Sequence, residues 1–317
     1  MLVNLLLLLG GFVALIFGAN MLVDSASSLA AKWGVPSIVI GLTIVAFGTS
    51  APELVVNVFA ATAGSTDMVL GNVLGSNIFN VLGILGVSAL IYPLTVKTNT
   101  TWIEIPLSLL AAIAVLIVAS DVFLDDTGSN IISRSDGIIL LLFFLIFLVY
   151  NLVVAKSGGA DEEMETKDYS TGKAVLFIIL GLAGLVLGGR LIVTSAVSIA
   201  EFFGLSERVI GLTVVSIGTS LPELATSIIA VRKKNVDIAI GNVVGSNIFN
   251  IFLILGVSGS IVPLGVNENS LFDILVNILA GLLLFIFVFT GKGRQVERWE
   301  GFVFIALYVA YVTYLII

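Results

Sequence analysis

The chain has 317 residues, 58% of them hydrophobic and 11% charged, with a mean hydropathy of +1.17. A soluble globule of this length cannot cover so much apolar surface, so lipid is the solvent for most of the chain. The formal charge of -7, from 14 basic and 21 acidic residues, offers no basic face to nucleic acid, and the absence of Cys and His removes thiolate and imidazole chemistry, so any ion site must be built from oxygen.

The first residues run into LVNLLLLLGGFVALIFGANMLV, longer than a signal-peptide core and without a basic leader, which reads as a retained membrane helix over 2–30. Further windows of about 20 apolar residues fall at 37–62, 68–91, 102–121, 136–155, 174–200, 207–231, 238–262, 272–290 and 299–317, ten spans in all. Gly and polar residues interrupt the second, third, seventh and eighth. Between the fifth and sixth lies KSGGADEEMETKDYSTGK, residues 156–173, which has no apolar face to bury and reads as a solvated linker.

With the N-terminus outside, eleven of the 14 basic residues fall in cytoplasmic loops, only Arg134 and Arg208 in external ones, and Arg190 inside the sixth span. Both termini are therefore expected outside the cell membrane and 156–173 in the cytoplasm. Trp33, Trp102 and Trp299 then fall at cytoplasmic interfaces, where amphipathic rings act as anchors.

The chain repeats itself. VIGLTIVAFGTSAPEL at Val39 matches VIGLTVVSIGTSLPEL at Val209, and GNVLGSNIFN at Gly71 matches GNVVGSNIFN at Gly241, both at an offset of 170. A second copy that starts after five crossings enters from the opposite side, so the repeats are inverted. The expected fold class is an all-α polytopic membrane protein of ten transmembrane helices in two inverted five-helix repeats, 1–155 and 174–317, joined by the 156–173 linker.

Paired interruptions in inverted repeats point to a secondary transporter with its site near the midplane. Pro52 has no N–H and crowds the carbonyl of Gly48, so the second span is expected to break just before Glu53, and Pro222 does the same before Glu223. Thr49, Ser50 and Glu53 are spaced to share a helix face, as are Thr219, Ser220 and Glu223. Ser76 with Asn80 and Ser246 with Asn250 are i,i+4 neighbours in the next spans, near Gly71, Gly75, Gly241 and Gly245, which permit close helix approach. Taken singly, the hydroxyls and amides could be interhelical glue, and so could Asn57, Ser227, Thr43 and Thr213. The glutamates differ, because an ionisable group at the bilayer centre costs ~2.5 kcal/mol or more and marks function.

Two carboxylates among oxygen donors suit a hard cation such as Ca²⁺ or Na⁺. One Ca²⁺ neutralises the pair, as do two Na⁺. A third Na⁺ would rest on carbonyl and hydroxyl dipoles, leaving the sodium-loaded form one charge more positive.

The duplicated GTSxPEL and GNVxGSNIFN stretches resemble the α-repeats of the sodium/calcium exchangers, in the cation/calcium antiporter superfamily, in a form without a large regulatory loop. The resemblance implies alternating access and export of one calcium against several sodium ions. It casts Glu53 and Glu223 as central ligands shared by both ions, with hydroxyl and backbone oxygens from Thr49, Ser50, Thr219 and Ser220. The carbonyls of Ala46 and Ser216 join them, Ser76 and Ser246 complete flanking sodium sites, and Asn80 and Asn250 line the middle of the cage. Some relatives carry Asp at the position of Asn250, where it accompanies potassium-dependent exchange; with Asn at both positions, potassium cotransport is not expected. The resemblance also casts Arg190 and Asp24 as a sliding gate pair, against the simpler reading that each snorkels to an interface.

The leading reading is a sodium/calcium antiporter that extrudes Ca²⁺, with no enzymatic chemistry, no catalytic residue and no cofactor. Its expected partners are Na⁺, Ca²⁺ and bilayer lipid, and the expected state is a monomer in the cell membrane. The alternative on the same fold is a calcium/proton antiporter in which Glu53 and Glu223 themselves exchange protons. Hydroxyls beside each glutamate favour sodium, because a proton needs no coordination shell. A passive channel and a non-transporting scaffold are the rivals from other classes.

Overall fold

The computed structural model describes residues 2–124, 126, 128–157, 167–202, 216–291 and 293–316. Helices dominate it: α1 (Leu2–Trp33), the bent pair α2 (Ser37–Thr49) and α3 (Ala51–Thr62), α4 (Thr66–Ile91), α5 (Thr100–Val118), α6 (Arg134–Ser157) and α7 (Thr171–Phe202). The second half continues with α8 (Ser216–Thr219), α9 (Leu221–Arg232), α10 (Val236–Ile261), α11 (Glu268–Thr290) and α12 (Arg298–Ile316). Among the described residues, seven helices are long and apolar enough to cross a membrane, or eight if the bent pair counts as one span. The expected span over 207–231 is described only from Ser216 onward, so Arg208 and Thr213 lie outside the described residues.

Burial sorts these helices into layers. In α10, 94% of the most apolar window is buried and in α4 78%, against 33% in α1, α5, α7 and α11 and 22% in α6, so α4 and α10 form the centre and those five helices lie around it. The Ser and Asn side chains of α4 and α10 at this centre therefore meet protein.

Close approach at the centre depends on glycine. A Cβ on Gly241 would come within 2.8 Å of Ile38 O, and one on Gly245 within 2.8 Å of Leu42 O, so α2 and α10 pack backbone to backbone. Gly71 and Gly75 have no described atom within 4 Å of a built Cβ. At the periphery α1 packs most extensively on α7. There a Cβ on Gly18 would meet Gly181 O at 2.7 Å and one on Gly188 would meet Gly11 O at 2.7 Å.

Two short ribbons qualify the all-helical expectation. β1 (Leu94–Thr95) pairs antiparallel with β4 (Gln295–Val296), and β2 (Asn130–Ile132) pairs with β3 (Leu264–Val266) in the register Ile131 opposite Gly265. Each joins a loop of one repeat to a loop of the other. Pro93 and Pro263 do not continue the helices before them, and pairing satisfies backbone groups of the extended residues that follow.

Candidate functional site

The helix breaks fall at Ser50 (φ -85°, ψ 3°) and Ser220 (φ -92°, ψ 11°), earlier than the expected position just before Glu53 and Glu223. Pro52 and Pro222 instead occupy the first turn of α3 and α9, where an absent N–H costs nothing because that position has no intrahelical acceptor. The axis bends by 47° between α2 and α3. Consequently Glu53 and Glu223 sit in the first turns of two half-helices, whose N-terminal partial charge of about +0.5 favours a carboxylate there.

Both glutamates are buried, with 2% and 1% of their surface exposed, and they lie close enough to interact electrostatically. The hydroxyls cross between repeats: Ser50 Oγ donates to Glu223 Oε1 at 3.1 Å, and Ser220 lies against the Glu53 carboxylate while its Oγ donates to Ser76 Oγ at 3.2 Å. The Thr49 hydroxyl lies 3.1 Å from Asn242 Oδ1, and that of Thr219 lies 3.4 Å from Asn72 Oδ1.

The third and eighth expected spans are not interrupted. α4 and α10 stay helical and widen to π geometry over Phe79–Leu85 and Phe249–Leu255, since neither contains a proline to free the backbone. This widening lies at Asn80 and Asn250. Asn80 Nδ2 donates to Asn247 Oδ1 and Asn250 Nδ2 to Asn77 Oδ1, both at 3.0 Å, while Asn77 Nδ2 donates to Asn247 O at 3.2 Å and Asn247 Nδ2 to Asn77 O at 3.5 Å. This four-amide lattice fixes the orientation of Asn80 and Asn250, and each points an amide oxygen with no hydrogen-bond partner among the described residues.

The same holds for one oxygen of each glutamate: Glu53 Oε2, Glu223 Oε2 and Ser246 Oγ are buried without a partner among the described residues. A buried anionic oxygen without compensation is costly, so the centre is suited to a cation. Among the described residues there is no cluster of three His, Cys, Asp or Glu, so amides and hydroxyls must supply the rest of the shell.

Of the residues proposed from sequence, Thr49, Ser50, Glu53, Ser76, Asn80, Ser220, Glu223, Ser246 and Asn250 are buried, and Thr219 is half-buried. The Ala46 carbonyl already accepts from Ser50 N at 2.9 Å and faces the Thr49 hydroxyl at 3.3 Å. Ser216 opens α8, and its side chain is outside the described residues. Asn57 Nδ2 donates to Glu53 O at 2.7 Å, whereas Thr43 merely returns to Val39 O of its own helix. Sequence reasoning missed Asn242, whose Nδ2 donates to Glu223 O at 3.2 Å and Ser227 Oγ at 3.0 Å. It missed Asn77 and Asn247 too, although their identity at the 170 offset was a usable signal. Asp24 pairs with Lys167 at 2.9 Å and Lys233 at 2.7 Å, and Arg190 is an exposed residue of α7.

The model of the sodium/calcium exchanger protein family matches residues 3–153 and 173–317. The chain belongs to the sodium/calcium exchanger family. It is 34% identical to the sodium/calcium exchanger MaX1 of Methanosarcina acetivorans over 99% of this chain and 98% of that one. It is 39% identical to the inner membrane protein YrbG of Escherichia coli over 89% of each chain. The solved sodium-calcium exchanger NCX_Mj, soaked with 2.5 mM Na⁺ and 10 mM Sr²⁺, superposes with a TM-score of 0.85 at 31% identity and 98% coverage of each chain. The exchanger is thus a membrane antiporter of a family that moves ions without a cofactor, not an enzyme.

Proposed function

We propose that this exchanger couples Na⁺ entry to Ca²⁺ extrusion through one cage centred on Glu53 and Glu223. The supporting observation is that the two carboxylates, one from each repeat, each keep a buried oxygen without a partner among the described residues, as do the amide oxygens of Asn80 and Asn250. Ca²⁺ takes 6–8 oxygens at 2.3–2.6 Å. The carboxylates with Ser50, Ser76, Ser220, Ser246, Thr49, Thr219 and the carbonyls of Ala46 and Ser216 form the donor set. Two or three Na⁺ compete for the same oxygens, so the ions exclude each other, and that competition is the basis of exchange. A third Na⁺ carries one net charge.

The same proposal includes ten spans in inverted repeats over 1–155 and 174–317, with both termini outside and 156–173 in the cytoplasm. The loop partners support this. β1 with β4, Lys32 with Asp168 at 3.0 Å and Lys97 with Asp237 at 2.7 Å all join segments expected in the cytoplasm. β2 with β3 and Asn267 Nδ2 with Asp67 Oδ1 at 3.1 Å join segments expected outside. The glycine contacts of α1 with α7 favour their moving as one body between inward-open and outward-open states.

The test is ⁴⁵Ca²⁺ uptake into proteoliposomes preloaded with Na⁺, K⁺ or acid, for the wild type, Glu53→Gln and Glu223→Gln. Sodium-driven uptake lost in either variant is the expected result. Uptake driven by acid alone would instead make the chain a calcium/proton antiporter, and flux surviving both substitutions would overturn the cage.

A further inference from the structure

Asp24 on α1 gathers two cations from distant parts of the chain. Lys167, at the end of the linker, reaches its Oδ2 at 2.9 Å, and Lys233, just past α9, reaches its Oδ1 at 2.7 Å. The three charges leave a net +1. The side chain of Asp24 is 17% exposed, against 61% for Lys167 and 32% for Lys233, so the cations and not the anion face outward. Each ammonium has three N–H donors and gives one to Asp24, with Lys233 also 3.5 Å from Asn20 O. The hydrogen bond to Asp24, with its charge, pushes the Lys167 ammonium above the usual lysine range.

These lysines, with Asp24, Asn20 and Tyr169, line a groove of about 520 Å³ whose apolar lining is Ile16, Phe17 and Met21. Ile16 and Phe17 are 50% and 68% exposed on a membrane-spanning helix, so this wall lies in hydrocarbon. From Phe17 to Asp24 the helix rises by roughly 10 Å at about 1.5 Å per residue, with Lys32 and Trp33 farther along at its end. Apolar wall below and surplus positive charge above is the polarity of one lipid: an acyl chain under an anionic headgroup. A zwitterionic lipid brings its own ammonium against the net positive rim, and a soluble anion leaves the apolar wall unused.

We propose that this groove binds an anionic phospholipid, its phosphate on Lys167 and Lys233 and an acyl chain along Ile16 and Phe17. The bound headgroup takes ammonium donors that Asp24 leaves unused.

Native mass spectrometry of the full chain, titrated with phosphatidylglycerol or phosphatidylcholine in detergent, tests this. The wild type should bind one phosphatidylglycerol in preference to phosphatidylcholine. Each of Lys167→Gln and Lys233→Gln should weaken that adduct about fivefold, corresponding to ~1 kcal/mol per lysine, and leave phosphatidylcholine binding unchanged. Asp24→Asn, which keeps both lysines and frees their donors, should tighten it; this variant carries the test if the lysine variants misfold. Equal binding of the two lipids by the wild type, or unchanged phosphatidylglycerol binding in folded lysine variants, overturns the proposal. So does displacement of the lipid by millimolar inorganic phosphate, which would make this a free-anion site.

Discussion

The hydroxyl of Ser50 donates to Oε1 of Glu223 at 3.1 Å, so a residue of the first repeat holds the carboxylate of the second. Removing that donor leaves a buried carboxylate oxygen with one fewer partner. Ser50→Ala should weaken apparent Ca²⁺ affinity about fivefold, from ~1 kcal/mol for a buried hydrogen bond. A titration of ⁴⁵Ca²⁺ uptake against external Ca²⁺ checks it, and an unchanged half-saturation concentration would make Ser50 a bystander.

Asn242 and Asn72 are equivalent by the repeat but not in their bonding. Among the described residues Asn242 makes three polar contacts, to Thr49, Glu223 O and Ser227, whereas Asn72 shows one, to Thr219, and its Nδ2 has no partner there. Asn242→Leu should therefore lower thermal stability by about 2–3 kcal/mol, since buried partners lose their bonds, and abolish exchange. Asn72→Leu should cost less than half as much. Thermal unfolding of the two variants in one detergent decides it; equal losses would contradict the asymmetry.

Gly18 faces backbone on the neighbouring helix, with Gly181 O at 2.7 Å and Leu185 N at 2.8 Å from a built Cβ. Backbone cannot step aside as a side chain can, so Gly18→Ala should force α1 and α7 apart and destabilise by ~1–3 kcal/mol, the range of overpacking. Gly10 has nothing within 4 Å of its built Cβ, so Gly10→Ala should be silent in the same measurement.

Outside the cage, Glu104 on α5 is 1% exposed and accepts a short hydrogen bond from the Tyr150 hydroxyl on α6. Tyr150→Phe removes the donor and leaves the acid facing a ring, which should cost ~1–3 kcal/mol. Glu104→Gln keeps an acceptor for Tyr150 and should cost less. Both variants should retain sodium-driven uptake per folded molecule, because the pair lies outside the proposed donor set; loss of transport with stability intact would give the pair a role in the cycle.

The repeat, the polar breaks and the glutamates were legible because each is a local pattern: an offset of 170, a proline, a charge in an apolar run. From those follow the helix-rich membrane fold and the residues that must not face lipid. The break positions were off because the steric argument fixes which carbonyl loses its partner, not where the following helix starts; Pro52 and Pro222 are welcome in a first turn. The expected interruption of α4 and α10 failed because neither helix contains a proline, so the backbone widens to π geometry without ending.

What the sequence by itself determined was correspondence: Glu53 matches Glu223 and Asn80 matches Asn250 at the 170 offset. Adjacency came only from tertiary structure. That Ser50 meets Glu223, that Asn77 and Asn247 hold the amides of Asn250 and Asn80, and that Asn242 ties Thr49 to Glu223 depends on how closely α2 and α10 approach across Gly241 and Gly245. Apart from Asn242 with Glu223, which are 19 positions apart, these contacts join residues more than 160 positions apart and leave no periodicity in the chain. They are set by the packing of whole helices, which no local rule of spacing encodes.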